Sequence, residues 1–316
     1  RNVGGQWSSS ARLDGKTVII MRANTWGTLD KEAHKEILSN NAYHIYLYCY
    51  VCSYEPSCYI ERARIIMACR DLDKAEGAQN EIMEESGNQN IVIRKLDLSD
   101  TKSIREFAEV INNEESSIHI LINNAGIMMC PYSKTADGFE MQFGVNHLGH
   151  FLLTFLLIDL LKRSAPSRII ILSSMAHSWG TIALYDINSE RNYHSRRAYG
   201  QSKLANILFT RTLAKKLKDT GVTAYAVHPG IVRTELKRHM NLGLLIMWKI
   251  VRPFTKTPVQ GAQTTIFCAV EPELDKESGG YYSNCRPSRC TRAARDDEMA
   301  EKLWELSCKM LRIVWD

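Results

Sequence analysis

Tyr199 and Lys203 stand four residues apart in "AYGQSKLAN", inside a run with helical periodicity. Residues at this spacing share one helix face, so a phenol and an ammonium point the same way. A phenol ionises near pH 10 in water, and a neighbouring ammonium favours the phenolate, moving it toward a range useful for proton exchange. Ser174 closes the apolar run "RIIILSS", where its hydroxyl could hold a carbonyl or alcohol oxygen. Asn146, in "GVNHLGHF", lies early in a long helical pattern and could bind a water that relays protons to Lys203. Each pattern is weak alone, since a YxxxK spacing or a serine pair at a strand end arises by chance.

The elements that must position these residues read as a strand-helix alternation. Strands are expected at Thr17 to Met21, Ala63 to Ala68, Ile91 to Asp97, Ile118 to Asn123, Arg168 to Ser174, Val222 to Val227 and Gly279 to Asn284. Their near-continuous apolar runs suit strands covered on both faces. Helical patterns fall at Asp73 to Glu85, Thr101 to Asn112, Gly138 to Lys162, Ala198 to Lys218, Gln260 to Val270 and Asp297 to Leu311. The alternation predicts an α/β fold with a Rossmann-like, doubly wound parallel sheet in three layers, α/β/α, as a single domain over 13–316. Ligands on such sheets sit beyond the carboxyl ends of the strands. Residues 1–12 are expected to be disordered. Residues 39–62, rich in Tyr and Cys and without a clear period, form an atypical insertion where a short loop is the norm.

Composition narrows the classes. The net charge of +5 on 316 residues is too mild and scattered to argue for nucleic acid. Nine cysteines, odd in number and dispersed, argue for free thiols over a disulfide framework, and their spacing matches no zinc pattern, so no metal is expected. No uninterrupted apolar stretch reaches the roughly 20 residues of a membrane helix. Leu242 to Phe254 is the nearest to a peripheral membrane contact, and a helix flanking a substrate pocket is the plainer reading. Phe151 to Leu161 reads as a core helix first and as a homodimer face second.

In combination the motifs carry far more. "NNAG" (Asn123 to Gly126), "GVNHLGHF", "ILSS", "YGQSK" and "HPGIVRT" (His228 to Thr234) occur in the order found in the short-chain dehydrogenase/reductase family, which the chain resembles from Leu13 onward. "ACRDLDKAE", "IRKLDLSDTKSIREFAE" and "SKLANILFTRTLAKKL" resemble the retinol dehydrogenase branch, the microsomal retinal reductases. The resemblance implies an NADP-dependent oxidoreductase that interconverts retinol and retinal, or similar lipophilic alcohols and aldehydes, by hydride transfer. It implies Tyr199 as general acid/base, Lys203 as its pKa modulator and a ribose ligand, Ser174 as the group orienting the substrate oxygen, and Asn146 in the proton relay. Asn123, Ala125 and Gly126 would line the cofactor, Asp97 would contact the adenine, and Pro229, Gly230 and Thr234 would hold the nicotinamide end. Relatives in this branch usually carry an anchor, which implies the endoplasmic reticulum membrane. A steroid or other lipid aldehyde is the alternative substrate.

Two places bear on the cofactor. After the second strand, "ACRD" offers Arg70, which suits a ribose 2′-phosphate, and Asp71, which suits a 2′-hydroxyl; with the resemblance, the balance favours NADP. After the first strand the family pattern TGANTGIGKE meets "MRANTWGTLDKE". Ala23, Asn24 and Thr25 match, but Arg22 and Trp26 take glycine positions and Gly27 is displaced by one. Glycines there allow the backbone to approach the pyrophosphate, and a Trp fills that space. Three readings follow: a working enzyme that binds through Asn24 and the shifted Gly27, a degenerate non-catalytic relative that no longer binds cofactor, or a flawed translation between Arg22 and Arg62.

Overall fold

The computed structural model of the protein describes residues 13–21, 63–232 and 255–315. The expectations placed on residues 1–12, on Arg22 to Gly27, on the 39–62 insertion, on Thr234 and on Leu242 to Phe254 lie outside them. Seven strands form one sheet: β1 (Thr17–Met21), β2 (Arg64–Cys69), β3 (Ile91–Lys95), β4 (Ile120–Asn123), β5 (Ser167–Leu172), β6 (Val222–His228) and β7 (Tyr281–Ser283). Their spatial order is β3-β2-β1-β4-β5-β6-β7, and every neighbouring pair is parallel. The chain winds outward in both directions from β1, which puts the switch point between β1 and β4, where α/β sheets bind ligands.

Side chains alternate between the two faces of each strand. Ile19, Met21, Leu121, Ile169 and Ile171 enter one apolar core, and Val18, Ile20, Ile65, Met67, Ile122 and Ile170 enter the other. Burial of each such side chain contributes roughly 1.5–3 kcal/mol. The first core is closed by α2 (Thr101–Glu114), α3 (Met141–Arg163), α4 (Ser195–Lys216) and α6 (Asp297–Leu311); the second by α1 (Leu72–Ser86) and α5 (Pro258–Val270).

Helix starts follow local chemistry. Asp71 caps α1 by accepting from Lys74 N at 3.2 Å, and Asp100 caps α2 by accepting from Lys102 N at 2.9 Å. The buried Glu140 accepts from Gln142 N at 2.9 Å and Phe143 N at 2.7 Å, so α3 begins at Met141 and not at Gly138. The helix widens into a π turn over Gly144–Leu148, a distortion frequent at functional sites. By length and composition α3 could cross a membrane, but 83% of its apolar window is buried here, as befits a core helix. β5 ends at Leu172, two residues before Ser174, because the chain there turns into a short 3₁₀ helix, Met175–Trp179, whose first N–H groups Ser174 caps.

Candidate active site

α4 crosses the first face of the sheet with Tyr199, Lys203 and Asn206 turned toward the carboxyl end of β5. All three are buried, at 7%, 5% and 0% exposure. Lys203 Nζ donates to Leu172 O at 3.1 Å, and Asn206 Nδ2 donates to the same carbonyl at 2.9 Å. Ser173 Oγ returns a hydrogen bond to Lys203 O at 2.7 Å. These contacts fix the helix against the strand end.

The Ser174 hydroxyl stands beside the Tyr199 phenol and favours the phenolate, yet burial is the stronger effect and pushes the phenol up to about 12. Lys203 Nζ lies 5.8 Å from the centroid of the Tyr199 ring. Burial lowers its own ammonium to about 8. Burial therefore sets the direction of the Tyr199 shift, upward where the spacing predicted downward, and Ser174 is the neighbour that opposes it.

Asn146 sits in the π turn of α3. Its side chain accepts from Ile127 N at 2.8 Å, and its Nδ2 donates to Ile127 O at 2.9 Å and to Ser202 Oγ at 3.0 Å. Its carbonyl accepts from Asn206 Nδ2 at 2.9 Å and His150 Nδ1 at 3.0 Å. Asn146 thus clamps the segment after β4 to both α3 and α4.

Fit to a dinucleotide can be judged from this chain's own groups. Lys203 has three N–H donors and Leu172 O uses one. Gly126 leaves the approach to it open: a Cβ there would stand 3.2 Å from Asn146 Oδ1 and 3.4 Å from Lys203 Nζ. Gly230 takes φ +94° at the end of β6, a conformation suited to glycine, and lets Lys256 pack against its backbone. Pro229 and Gly230 remain half-buried beside it. At the other end of the crest, Arg70 Nη1 lies 3.9 Å from Asp97 Oδ2. Asp97 Oδ1 accepts from Ser99 N at 2.9 Å and Ser99 Oγ at 2.6 Å. Asp71 is engaged by the α1 cap and by an ion pair with Lys74 at 2.8 Å. The described residues fit a nicotinamide dinucleotide lying along the crest.

Ser174, Tyr199, Lys203, Asn146 and Gly126 come together as the spacing and motifs suggest. Asn123 and Ala125 are buried: Asn123 Nδ2 donates to Thr154 Oγ1 at 3.0 Å, and Ala125 joins the first core. Sequence reasoning missed Asn206 and His150, which hold the Asn146 carbonyl, and His177, whose Nδ1 donates to Ser174 O at 2.7 Å. Asn206 and His150 fall on the periodicities of the site helices, at i+3 from Lys203 and i+4 from Asn146. That was the available signal.

Comparison with known proteins agrees with this geometry. A short chain dehydrogenase family model matches residues 57–244. Human "Retinol dehydrogenase 12" is 49% identical over 99% of this chain and 92% of its own length; human "Retinol dehydrogenase 11" is 47% identical over 99% and 91%. Among solved structures, an uncharacterized protein from Mycobacterium Paratuberculosis superposes with a TM-score of 0.72 at 32% identity over 97% of each chain. The Pseudomonas aeruginosa RhlG/NADP complex, at 20% identity and a TM-score of 0.61 over 85% of this chain and 94% of its own, shares the fold. With the tyrosine, lysine and serine of its site brought together at the end of β5, the chain belongs to the short-chain dehydrogenase/reductase family of nicotinamide-dependent oxidoreductases.

Proposed function

We propose that the chain is an NADP-dependent oxidoreductase that interconverts retinol and retinal, or closely similar long lipophilic alcohols and aldehydes. The observation that carries the reading is the meeting of the Tyr199 and Ser174 hydroxyls beside a buried Lys203 at the carboxyl end of β5. When bound, the dinucleotide supplies or takes the hydride at the carbonyl carbon. Tyr199 gives its proton to the substrate oxygen in reduction and takes it back in oxidation. A phenol at about 12 is protonated at neutral pH, which suits the reductive direction. Ser174 donates a hydrogen bond to the same oxygen and holds it in line with the phenol. The spare N–H groups of Lys203 hold a ribose hydroxyl, and Asn146 keeps Gly126 and Ile127 in register with them. Asn24, Gly27 and Thr234 belong to the same proposal as cofactor contacts.

The 2′-phosphate preference rests on Arg70 and Asp71. Asp71 is engaged as a helix cap and in an ion pair, while Arg70 stands beside Asp97 at the crest. The retinoid class rests on the similarity to retinol dehydrogenases 11 and 12 over nearly the whole chain. Attachment to the endoplasmic reticulum membrane and a homodimer are part of the reading, and co-fractionation with microsomes and light scattering test them.

One observation favours a second reading. Arg22 and Trp26 occupy glycine positions of the phosphate loop, which fits a non-catalytic relative. Titration of purified protein with NADPH, read by fluorescence or calorimetry, separates the two. Saturable binding supports the enzyme; none at millimolar cofactor supports the non-catalytic reading.

A further inference from the structure

We propose that Gly200 and Gly180 are positioning residues that set the spacing between the Ser174 and Tyr199 hydroxyls by letting two backbones touch. The proposal rests on the catalytic reading of that pair.

A glycine inside a helix is disfavoured against alanine, so Gly200, in the second turn of α4, needs a packing reason. The Met175–Trp179 turn supplies one. A Cβ on Gly200 would lie 2.8 Å from Trp179 Cδ1, 3.0 Å from Trp179 Nε1 and 3.1 Å from Ala176 O. From the other side, a Cβ on Gly180 would lie 2.6 Å from the Gly200 carbonyl carbon and 3.1 Å from Gln201 N. Gly180 has φ −78°, an angle open to any residue, so space and not backbone conformation demands the glycine.

The turn that makes this contact is bound at its other end to Ser174. Ser174 Oγ accepts from Ala176 N at 3.2 Å, and Ser174 O accepts from His177 N at 3.1 Å and His177 Nδ1 at 2.7 Å. Gly200 is covalently next to Tyr199. One backbone contact therefore fixes the turn carrying Ser174 against the helix carrying Tyr199. Neither side can retreat without breaking other bonds. Ala183 N donates to Gln201 Oε1 at 2.9 Å, Gln201 Nε2 to Ile187 O at 3.0 Å, and Thr291 N to His177 Nε2 at 3.4 Å. An added methyl group drives the turn off the helix and carries Ser174 away from Tyr199.

The test uses the full chain with Gly200→Ala, Gly180→Ala and the pair Gly200→Ala/Trp179→Ala. Crystal structures of wild type and G200A read the distance between Ser174 Oγ and Tyr199 Oη; turnover of retinal with NADPH and cofactor affinity are measured beside it. G200A and G180A are expected to lengthen the distance and to lower kcat roughly ten- to hundredfold, the scale set by an ångström-size misplacement. The NADPH Kd stays as in wild type. Trp179→Ala added to G200A recovers part of the lost kcat relative to Trp179→Ala alone, because the ring is the nearest obstacle. The same change added to G180A recovers nothing, because the obstacle there is backbone. An unchanged hydroxyl distance in G200A overturns the proposal, whatever the turnover. Wild-type kcat in G200A and G180A, with Tyr199→Phe inactive, overturns it while leaving the catalytic reading intact. Full turnover by Tyr199→Phe is the separate result that removes the catalytic reading.

Discussion

Lys203, Asn146 and Asn206 are buried and tied to one another through Leu172 O, Ile127 and the Asn146 carbonyl, whereas Arg70 and Asp97, at the other end of the crest, have side chains 30% and 27% exposed and 3.9 Å apart. On the proposed reading the contrast follows the work each end would do. Proton exchange needs atoms at hydrogen-bond distance, where small displacements are costly, so the polypeptide prebuilds that end. The proposed adenosine end would need only charge of the right sign near a phosphate, which a half-buried side chain can supply.

Breaking the prebuilt end carries the larger penalty. Ser174→Ala removes the hydroxyl that meets Tyr199, and kcat for retinal reduction should fall roughly a hundredfold, with NADPH affinity unchanged, in steady-state kinetics beside calorimetry. Arg70→Ala at the open end should leave kcat alone and weaken NADPH by roughly ten- to a hundredfold, the worth of one charge-assisted hydrogen bond. NADH affinity should not move. Equal weakening of both dinucleotides would show that Arg70 does not read the 2′-phosphate.

The comparison extends to the segment after β1. Arg22→Gly with Trp26→Gly restores the small residues of the phosphate loop and should tighten NADPH severalfold in the same titration. No gain would mean the phosphates are held elsewhere.

Titration of Lys203 gives the smallest effect. Burial lowers its ammonium from the ordinary 10.5 to about 8, so the charge is present below that pH and is lost as pH rises through it. Cofactor affinity should be level on the acid side and decline above about pH 8. Lys203→Met should bind more weakly with no such decline. The sign for folding is opposite. The native state gives up its proton before the unfolded chain does, so this group's contribution to stability rises between about 8 and 10.5. Thermal unfolding of Lys203→Met should lack that rise.

Much of this was legible in the chain itself. All seven strands fall within a few residues of their expected positions, and in β1 to β6 the signal is a short apolar or β-branched run between helical patterns. Tyr199 and Lys203 meet because helical spacing is a local property. Ser174 was placed at the strand end; it lies two residues beyond, since the strand gives way to the turn it caps. What stayed hidden depends on contacts distant in sequence. Asn206 reaches Asn146 across 60 residues, and the Asn123 amide reaches Thr154 across 31. The effect of burial on Tyr199 also has no signature in spacing, since it is set by how much packing surrounds the ring. Asp71 reads from sequence as a residue suited to a ribose 2′-hydroxyl, and its capping role emerges only with the helix start at Leu72.

The account stands on the Tyr199 hydroxyl as the group that exchanges the proton. The most direct test is retinal-dependent oxidation of NADPH, followed at the cofactor's absorbance, by wild type and Tyr199→Phe at matched cofactor occupancy. The account predicts turnover by wild type and a loss of roughly 10²–10⁴-fold in the phenylalanine variant, with the same NADPH affinity. Equal turnover by the two proteins would contradict it.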